Sequence, residues 1–164
     1  MRLYLKQMVF SFRDRFTVKD ETGADRFFVE GEIFTWGKRL HVFTPDGNGV
    51  AFIKQKVLSF LPRFFVEING TEVCEIIKEF TFLRQSYRLE GTNWHLEGDF
   101  FAHEYTLVEN GAGARTVMRL SKKWFSWGDS YELDIENPQD ILLCLCIALA
   151  VDCALASQSR HGGR

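Results

Sequence analysis

The chain has 164 residues, of which 46% are hydrophobic and 26% charged, as in a single compact domain with a sizeable core. A formal net charge of −2 excludes a protein that coats nucleic acid or a membrane through bulk positive charge. Phe, Trp and Tyr make up 15% of the chain and only 3 residues are Pro, which excludes disordered and linker-like classes.

The N-terminal segment does not have the features of a signal peptide, because Lys6 and Gln7 interrupt its apolar residues. We therefore expect a cytoplasmic protein, either free or peripheral at a membrane. The 4 Cys are then expected to be reduced thiols rather than a disulfide framework.

Short runs of alternating apolar and polar residues extend from Leu3 to Ile135 and predict antiparallel β structure. The clearest run places Tyr131, Leu133 and Ile135 on one face of a strand. Turn residues separate the runs, at 22–23, 45–49, 69–70, 90–91 and 110–113. The pattern predicts about twelve strands.

A segment near the N-terminus recurs later in the chain. Residues 6–18 and 54–66 are identical at eight of thirteen positions. Other echoes have different spacings, so the chain is not a fixed-period solenoid. We interpret the repeat as two related halves of one barrel, in which the shared residues fix the same corner twice; two equivalent basic contact points are the alternative.

The C-terminal part of the chain differs from the rest because it predicts a helix. Asn137 and Pro138 form a typical helix start, and the segment 141–156 is apolar on nearly every side. Sixteen residues at about 1.5 Å each span roughly 24 Å, less than the ~30 Å hydrocarbon core of a bilayer, so we expect no transmembrane insertion.

A closed barrel of about twelve strands needs a plug, and this helix can provide it. The sequence thus predicts a mainly β protein: a single barrel domain over 1–158 with a core helix at about 138–157 and a disordered tail at 159–164. We expect the small residues of the helix to be surrounded by large Phe and Trp side chains of the wall.

Four segments in combination resemble the LURP-one-related family, including its bacterial YxjI-type members: KQKVLSFLP at 54–62, LEGDFFAH at 96–103, KKWFSWGDSY at 122–131 and IALAVDCALA at 147–156. The resemblance extends from Leu3 to about Gln158. It implies a Tubby-like fold, a twelve-stranded barrel around a hydrophobic C-terminal helix that Tubby domains and phospholipid scramblases share. Tubby domains bind phosphoinositides, but no stretch here matches their binding motif or the scramblase calcium segment, so no binding residue is carried over.

Asp152 is an acidic residue in the predicted core helix, and a buried carboxylate needs a partner. We expect Asp152 to be a structural anchor, with hydrogen bonds or an Arg or Lys pair near the barrel mouth. The alternative role is a catalytic acid with a raised pKa.

Several basic residues are candidates for binding an anionic head group, and some lie next to aromatic residues. These are Lys38, Arg39, Lys54, Lys56, Arg63, Lys122 and Lys123. An ordinary barrel surface explains the same residues.

A second set of polar residues, His95, Glu97, Asp99, His103 and Glu104, could hold a metal or act in acid–base catalysis. A solvated strand face accounts for them equally well, and no common enzyme motif is present. We therefore expect a non-enzymatic intracellular binding module without a cofactor or metal, whose partner is an anionic phospholipid, such as a phosphoinositide, or a protein. The alternatives are a metal-dependent or hydrolytic enzyme that uses the His95 to His103 region, and a purely structural scaffold.

Overall fold

The computed structural model describes residues 1–5, 15–32, 36–82, 84–125 and 128–159. Within them, twelve antiparallel strands form one sheet, and a 3₁₀ turn (Pro138–Asp140) leads into a single α-helix, α1 (Ile141–Ser159). The strands are β1 (Arg2–Leu5), β2 (Phe16–Asp20), β3 (Asp25–Gly31), β4 (Arg39–Phe43), β5 (Gly49–Gln55), β6 (Arg63–Ile68), β7 (Thr71–Lys78), β8 (Tyr87–Glu90), β9 (Trp94–Asp99), β10 (Glu104–Glu109), β11 (Thr116–Phe125) and β12 (Gly128–Ile135).

The sheet curls into a nearly closed barrel. Its strands follow the order β8-β7-β6-β5-β4-β3-β2-β1-β12-β11-β10-β9, so the first and last strands of the chain pair through Leu3 and Leu133. Strands β8 and β9 end this order and lie next to each other. The predicted fold class, a mainly β barrel of about twelve strands with a C-terminal helix, is confirmed.

The helix fills the barrel. Every residue from Cys144 to Ala154 is buried, and α1 contacts β5, β6, β7 and β12. Asn137 caps the preceding 3₁₀ turn by accepting a 3.1 Å hydrogen bond from the backbone N–H of Gln139. In the described chain, Pro138–Ser157 is the one segment long and apolar enough to cross a membrane, and the barrel wall buries most of it, as expected for a core helix.

One expectation about the wall is wrong. The inward-facing residues are mostly Leu, Val and Ile, and Phe64 on β6 is the one strand Phe in the described part of the chain that is fully buried. The helix fills the lumen too closely for a ring of large aromatic residues, so aliphatic side chains provide most of the contact. Several other Phe residues are exposed on loops.

The two ends of the barrel have different compositions. The turns predicted at Thr22-Gly23, 45–49, 69–70, 90–91 and 110–113 all lie at the end where α1 begins, which we call the polar end. The loops 36–38, 56–62, 79–82 and 100–103 lie at the opposite end, where α1 finishes, which we call the apolar end. The four loops belong to the connections between β3 and β4, β5 and β6, β7 and β8, and β9 and β10, in that order.

Most of the first copy of the internal repeat, residues 6–14, lies outside the described residues. Of that copy, Phe16–Val18 begins β2, while the matching Phe64–Val66 lies in β6, with Val18 and Val66 both buried. The tail at 160–164 is likewise outside the described part of the chain. The duplication stays a prediction.

Candidate functional site

The large hydrophobic residues that are exposed in the described chain all lie at the apolar end. They are Trp36, Val57, Leu58, Phe60, Phe80, Phe82 and Phe101, and each of the four loops carries at least one. Leu58, Phe60 and Phe82 are 96%, 95% and 91% exposed, so their side chains project almost completely into solvent. Such a cluster at one end of a barrel is a marker of an interaction surface.

Contacts between the apolar loops, and within one of them, hold part of their arrangement. Gly37 has a φ of +82°, and a Cβ there would lie 3.2 Å from Val57 Cγ2, so the loops 36–38 and 56–62 approach closely. The rings of Phe80 and Phe82 pack edge to face, with their centroids 5.2 Å apart. Pro62, which has no N–H to donate, ends the loop 56–62 directly before β6.

Leu58 also has an unusual backbone conformation. Its φ of +63° lies in the left-handed region, which costs a residue with a Cβ about 1–2 kcal/mol. Leu58 is also the most exposed of the large hydrophobic residues on the apolar loops. The fold thus holds a leucine in solvent at a conformational cost that glycine would avoid.

The candidate basic residues all lie toward the apolar end, but most of them have acidic partners. Arg39 pairs with Glu32 at 3.4 Å, Lys54 with Glu67 at 3.8 Å, Arg63 with Glu75 at 3.3 Å and Lys123 with Glu132 at 3.7 Å. Surface pairs of this kind contribute at most about 1 kcal/mol each, and they neutralise charge locally. The seven residues therefore do not form one uncompensated basic patch.

The other three candidate cations have different environments. Lys38 points toward the helix and donates from Nζ to the carbonyl oxygen of Cys153 at 3.0 Å. Lys122 lies opposite the buried Tyr131 in the sheet register, and its charge adds to burial in lowering the pKa of His103. Lys56 is exposed in the loop 56–62 and forms no ion pair with the described residues.

Asp152 lies at the barrel mouth near the end of α1, with its side chain 6% exposed. Its Oδ1 is 3.9 Å from Nδ1 of His103, and its Oδ2 has no hydrogen-bond partner among the described residues. Burial raises the pKa of Asp152 from its ordinary 3.8 to about 7, against the opposing effect of Lys38.

This geometry differs from the hydrogen-bonded or Arg- or Lys-paired anchor that the sequence predicted for Asp152. Burial and the charge of Lys122 lower the pKa of His103, so this imidazole is mostly neutral at neutral pH. A neutral imidazole compensates the carboxylate poorly, and the charge of Lys38 opposes the rise of its pKa only in part. Rather than a fully paired ion, Asp152 is a buried carboxyl that is half protonated near pH 7. Its role as an anchor stays a prediction.

The residues of the alternative catalytic or metal site do not converge. His95 Nε2 lies 2.8 Å from Oε1 of Glu97 and its Nδ1 lies 2.7 Å from Oδ1 of Asn110, on an exposed strand face. The carboxylate of Asp99 accepts a hydrogen bond from the backbone N–H of Ala102. His103 lies instead at the apolar end beside Asp152. The described residues contain no group of three or more His, Cys, Asp or Glu side chains that could hold a metal.

Sequence reasoning did not identify the exposed apolar residues of the apolar end as a site. A signal was present in the segments VLSFL at 57–61 and FTFL at 80–83, which are mostly apolar and end next to Pro62 in one case and Arg84 in the other. A mostly apolar segment between two predicted strands indicates an exposed hydrophobic loop when the strands around it already fill the core.

The fold and this surface define a class of protein: a β-barrel filled by its own C-terminal helix, whose candidate binding surface lies on one end rather than in an internal cavity. The sequence model of the LURP-one-related family matches residues 1–152, and the chain belongs to that family. It is 39% identical over 155 residues to the uncharacterized protein YxjI of Bacillus subtilis, covering 94% of each chain. It is also similar to the X-ray structure of an Arabidopsis thaliana protein, with a TM-score of 0.62 at 12% identity, over 92% of this chain and 89% of that one.

Proposed function

We propose that this protein is a non-enzymatic binding module that docks end-on against the surface of an anionic membrane through its apolar end. The observation that carries the proposal is the asymmetry between the two ends. All the large exposed hydrophobic residues of the described chain lie on the four loops of one end, while the other end consists of polar turns.

The arrangement of these residues favours a membrane over a folded partner protein. The apolar side chains project from separate loop tips in successive hairpins, as a broken ring around the barrel mouth. A bilayer interface accepts several separate side chains without a complementary shape, and aromatic residues partition well into its head-group region. Lys56 in the loop 56–62 and Arg84 just before β8 are exposed and form no ion pair with the described residues, so they can face anionic lipid.

The expected affinity follows from the exposed area. Full burial of one Leu or Phe side chain contributes about 1.5–3 kcal/mol, and insertion at an interface gives part of this. Leu58, Phe60 and Phe82 offer the most, since each is more than 90% exposed. Each juxtamembrane cation adds about 1 kcal/mol on an anionic surface. The sum corresponds to reversible, peripheral binding, in which the helix stays inside the barrel.

The non-enzymatic part of the proposal is supported by the geometry of the residues that sequence analysis had offered for catalysis. His95 and His103 lie in different surroundings, one on an exposed strand face and the other at the apolar end. Asp99 and His95 are four residues apart along β9, or about 13 Å at 3.3 Å per residue. Among the described residues of this region, none is a nucleophile held by a base.

Co-sedimentation with liposomes tests the proposal. We expect the protein to pellet with vesicles of phosphatidylcholine containing 30% phosphatidylserine, and less with phosphatidylcholine alone. The double variant Phe60→Ser, Phe82→Ser should lose most of this binding and keep its melting temperature, since both rings are in solvent. A control that also introduces two serines, Thr71→Ser with Gln139→Ser, alters exposed uncharged residues near the polar end and should bind like the wild type.

Two results would contradict the proposal. The first is a wild-type protein that remains in the supernatant with every anionic vesicle. The second is equal pelleting of the Phe60→Ser, Phe82→Ser variant and the wild type. If these substitutions instead dissociate an oligomer seen by light scattering and do not change lipid binding, the apolar end is a protein interface.

A further inference from the structure

The loop between β9 and β10 connects the exposed surface of the apolar end with the buried carboxyl of Asp152. Within this loop, the backbone N–H of His103 donates to the carbonyl oxygen of Phe100 at 3.2 Å, so the residues 100–103 form one compact turn. The Phe101 ring is 68% exposed on the outer side of the turn, whereas the ring of His103 faces Asp152. A movement of His103 would therefore also move Phe101.

Three buried polar atoms around Asp152 have no hydrogen bond. They are Oδ2 of Asp152, Nδ1 of His103 and the hydroxyl of Tyr105, each without a partner among the described residues. Oδ1 of Asp152 lies 3.9 Å from Nδ1 of His103, about 1 Å beyond an ordinary hydrogen bond. Buried polar groups are normally hydrogen-bonded, and a buried carboxylate needs a donor most of all. This arrangement therefore suits a protonated Asp152 better than an ionised one.

Asp152 and His103 are the pair at this end whose pKa values lie near neutral pH. Lys38 is the cation whose charge acts on Asp152, and it opposes the rise of the Asp152 pKa only in part. Burial raises the pKa of Tyr105 and of Cys153, so both stay neutral. The inner faces of β5 and β6, as far as they are described, carry no ionisable side chain. The register places further ionisable side chains on the inner wall at this end, namely Lys78 of β7, Tyr87 of β8, Lys122 of β11 and Tyr131 of β12.

His103 is the donor that can approach an ionised Asp152. Lys38 already donates from Nζ to the carbonyl oxygen of Cys153 at 3.0 Å, and Tyr105 is held in β10 by strands on both sides. His103 lies outside the strand ladder, and its φ of +55° is in the left-handed region, where a residue with a Cβ is strained. A neutral imidazole that carries its proton on Nδ1 donates to a carboxylate once the two atoms come about 1 Å closer.

Loss of the Asp152 proton should thus move the loop 100–103 toward the helix and draw Phe101 away from the docking surface. We infer that the ionisation of Asp152 switches this loop between two positions, and that membrane docking is stronger when Asp152 is protonated. Because the pKa of Asp152 is raised to about 7, the switch operates near neutral pH. The inference rests on the proposed membrane docking and adds to it a regulation by pH.

A dye on the loop tests the switch without a membrane. The four native cysteines are buried, so Phe101→Cys can be labelled selectively with an environment-sensitive dye. Its emission should change between pH 6 and pH 8 with a midpoint of about 7, and adding Asp152→Asn should abolish the change. The same dye at Leu58→Cys, on another apolar loop, is the control and should show no such change. His103→Asn should also abolish the response, since Asn tolerates the left-handed conformation but is too short to reach the carboxylate.

Vesicle binding tests whether the movement of the loop changes docking. Between pH 6 and pH 8, binding of the wild type to vesicles with phosphatidylserine should fall about threefold more than binding of Asp152→Asn, because part of the insertion of one Phe side chain is lost. The other titrating groups are the same in both proteins and cancel from this comparison. When both proteins also carry Phe101→Ser, they should respond alike to pH. A difference that persists in the Phe101→Ser background would mean that the buried charge acts on the lipid directly, and would overturn the inference.

The two experiments distinguish failure of the switch from failure of the docking proposal. Constant emission from the label at position 101, or an equal change in Asp152→Asn, would overturn the switch. Emission that responds to pH in a protein that never binds vesicles would support the switch and refute docking. Vesicle binding with the same pH response in the wild type and in Asp152→Asn would support docking and refute its regulation by Asp152.

Discussion

Replacement of Asp152 by Asn should change how the stability of the protein depends on pH. The carboxyl is buried, and its pKa is raised from 3.8 to about 7 in the folded state. The folded protein holds this proton more tightly than the unfolded chain does, so stability falls as pH rises from 3.8 to about 7. A difference of about three pH units, at about 1.4 kcal/mol each, gives a total loss of roughly 4 kcal/mol.

The Asp152→Asn variant carries a neutral group at every pH and escapes this loss. Between pH 5 and pH 8, its stability should rise relative to wild type by roughly 2.5 kcal/mol. The stability difference between the two proteins at any one pH depends on the hydrogen bonds that the amide at position 152 of the variant makes, whereas the change of this difference with pH does not. Urea unfolding at several pH values, with equal denaturant slopes for the two proteins, measures it. His103, whose folded-state pKa is lowered, titrates in both proteins and largely cancels from the comparison.

The opposite sign would refute this reasoning. If Asp152 were a well-paired carboxylate, its folded-state pKa would be depressed, and the wild type would gain stability over Asp152→Asn as pH rises. A wild type that gains stability over the variant only below about pH 5, with a constant difference above it, would mean that a cation compensates the carboxylate. A difference that is constant from about pH 3 to pH 8 would mean that Asp152 ionises alike in the folded and unfolded states.

Three further predictions concern a strained leucine, two glycines and the four cysteines. Leu58→Gly should relieve the strain of the positive φ and stabilise the fold by about 1 kcal/mol in urea unfolding, while it weakens vesicle binding. Equal stability of Leu58→Gly and Leu58→Ala would show that the backbone at this position is not strained. Gly98→Ala should destabilise the fold by about 2–4 kcal/mol, because the added Cβ would lie 2.5 Å from the carbonyl oxygen of Glu104. Gly111→Ala, at a position with open space around it, should destabilise the fold by only about 1 kcal/mol, and similar melting temperatures for the two variants would refute this. The native protein should not react with DTNB within minutes, because Cys74, Cys144, Cys146 and Cys153 are buried and burial raises the pKa of each thiol. In guanidinium all four thiols should react. Fast reaction of the native protein would show that the cysteines are not buried.

Much of the barrel could be predicted from local patterns. The alternation of Tyr131, Leu133 and Ile135 places these residues on the inner face of β12, and all three are buried. The uniformly apolar segment after Pro138 is the core helix. These features were predictable because the period of the side chains, the turn residues and the need to cover an apolar helix each depend on nearby sequence.

The candidate site was harder to predict because it depends on which side chains the fold does not bury. Phe64 and Phe60 are four residues apart and equally hydrophobic, yet Phe64 is in the core and Phe60 is 95% exposed. Composition alone predicted that the aromatic residues would surround the helix. The difference arises because Phe64 lies on the inner face of β6, whereas Phe60 lies in the loop 56–62 before that strand, and where the strand begins depends on its pairing with β5 and β7. The charge of Arg63 was likewise visible in the sequence, whereas its pairing with Glu75 depends on strand register.

The contact of the apolar end with a membrane can be measured directly with a fluorophore at defined positions. The four native cysteines are buried, so Leu58→Cys at the apolar end and Asp46→Cys at the polar end can each be labelled selectively with an environment-sensitive dye. With anionic vesicles, the label at position 58 should shift to the blue and be quenched by a lipid that carries a nitroxide near its head group, while the label at position 46 should show neither change. Equal quenching at both positions, or none at position 58 in protein that pellets with the vesicles, would contradict end-on docking.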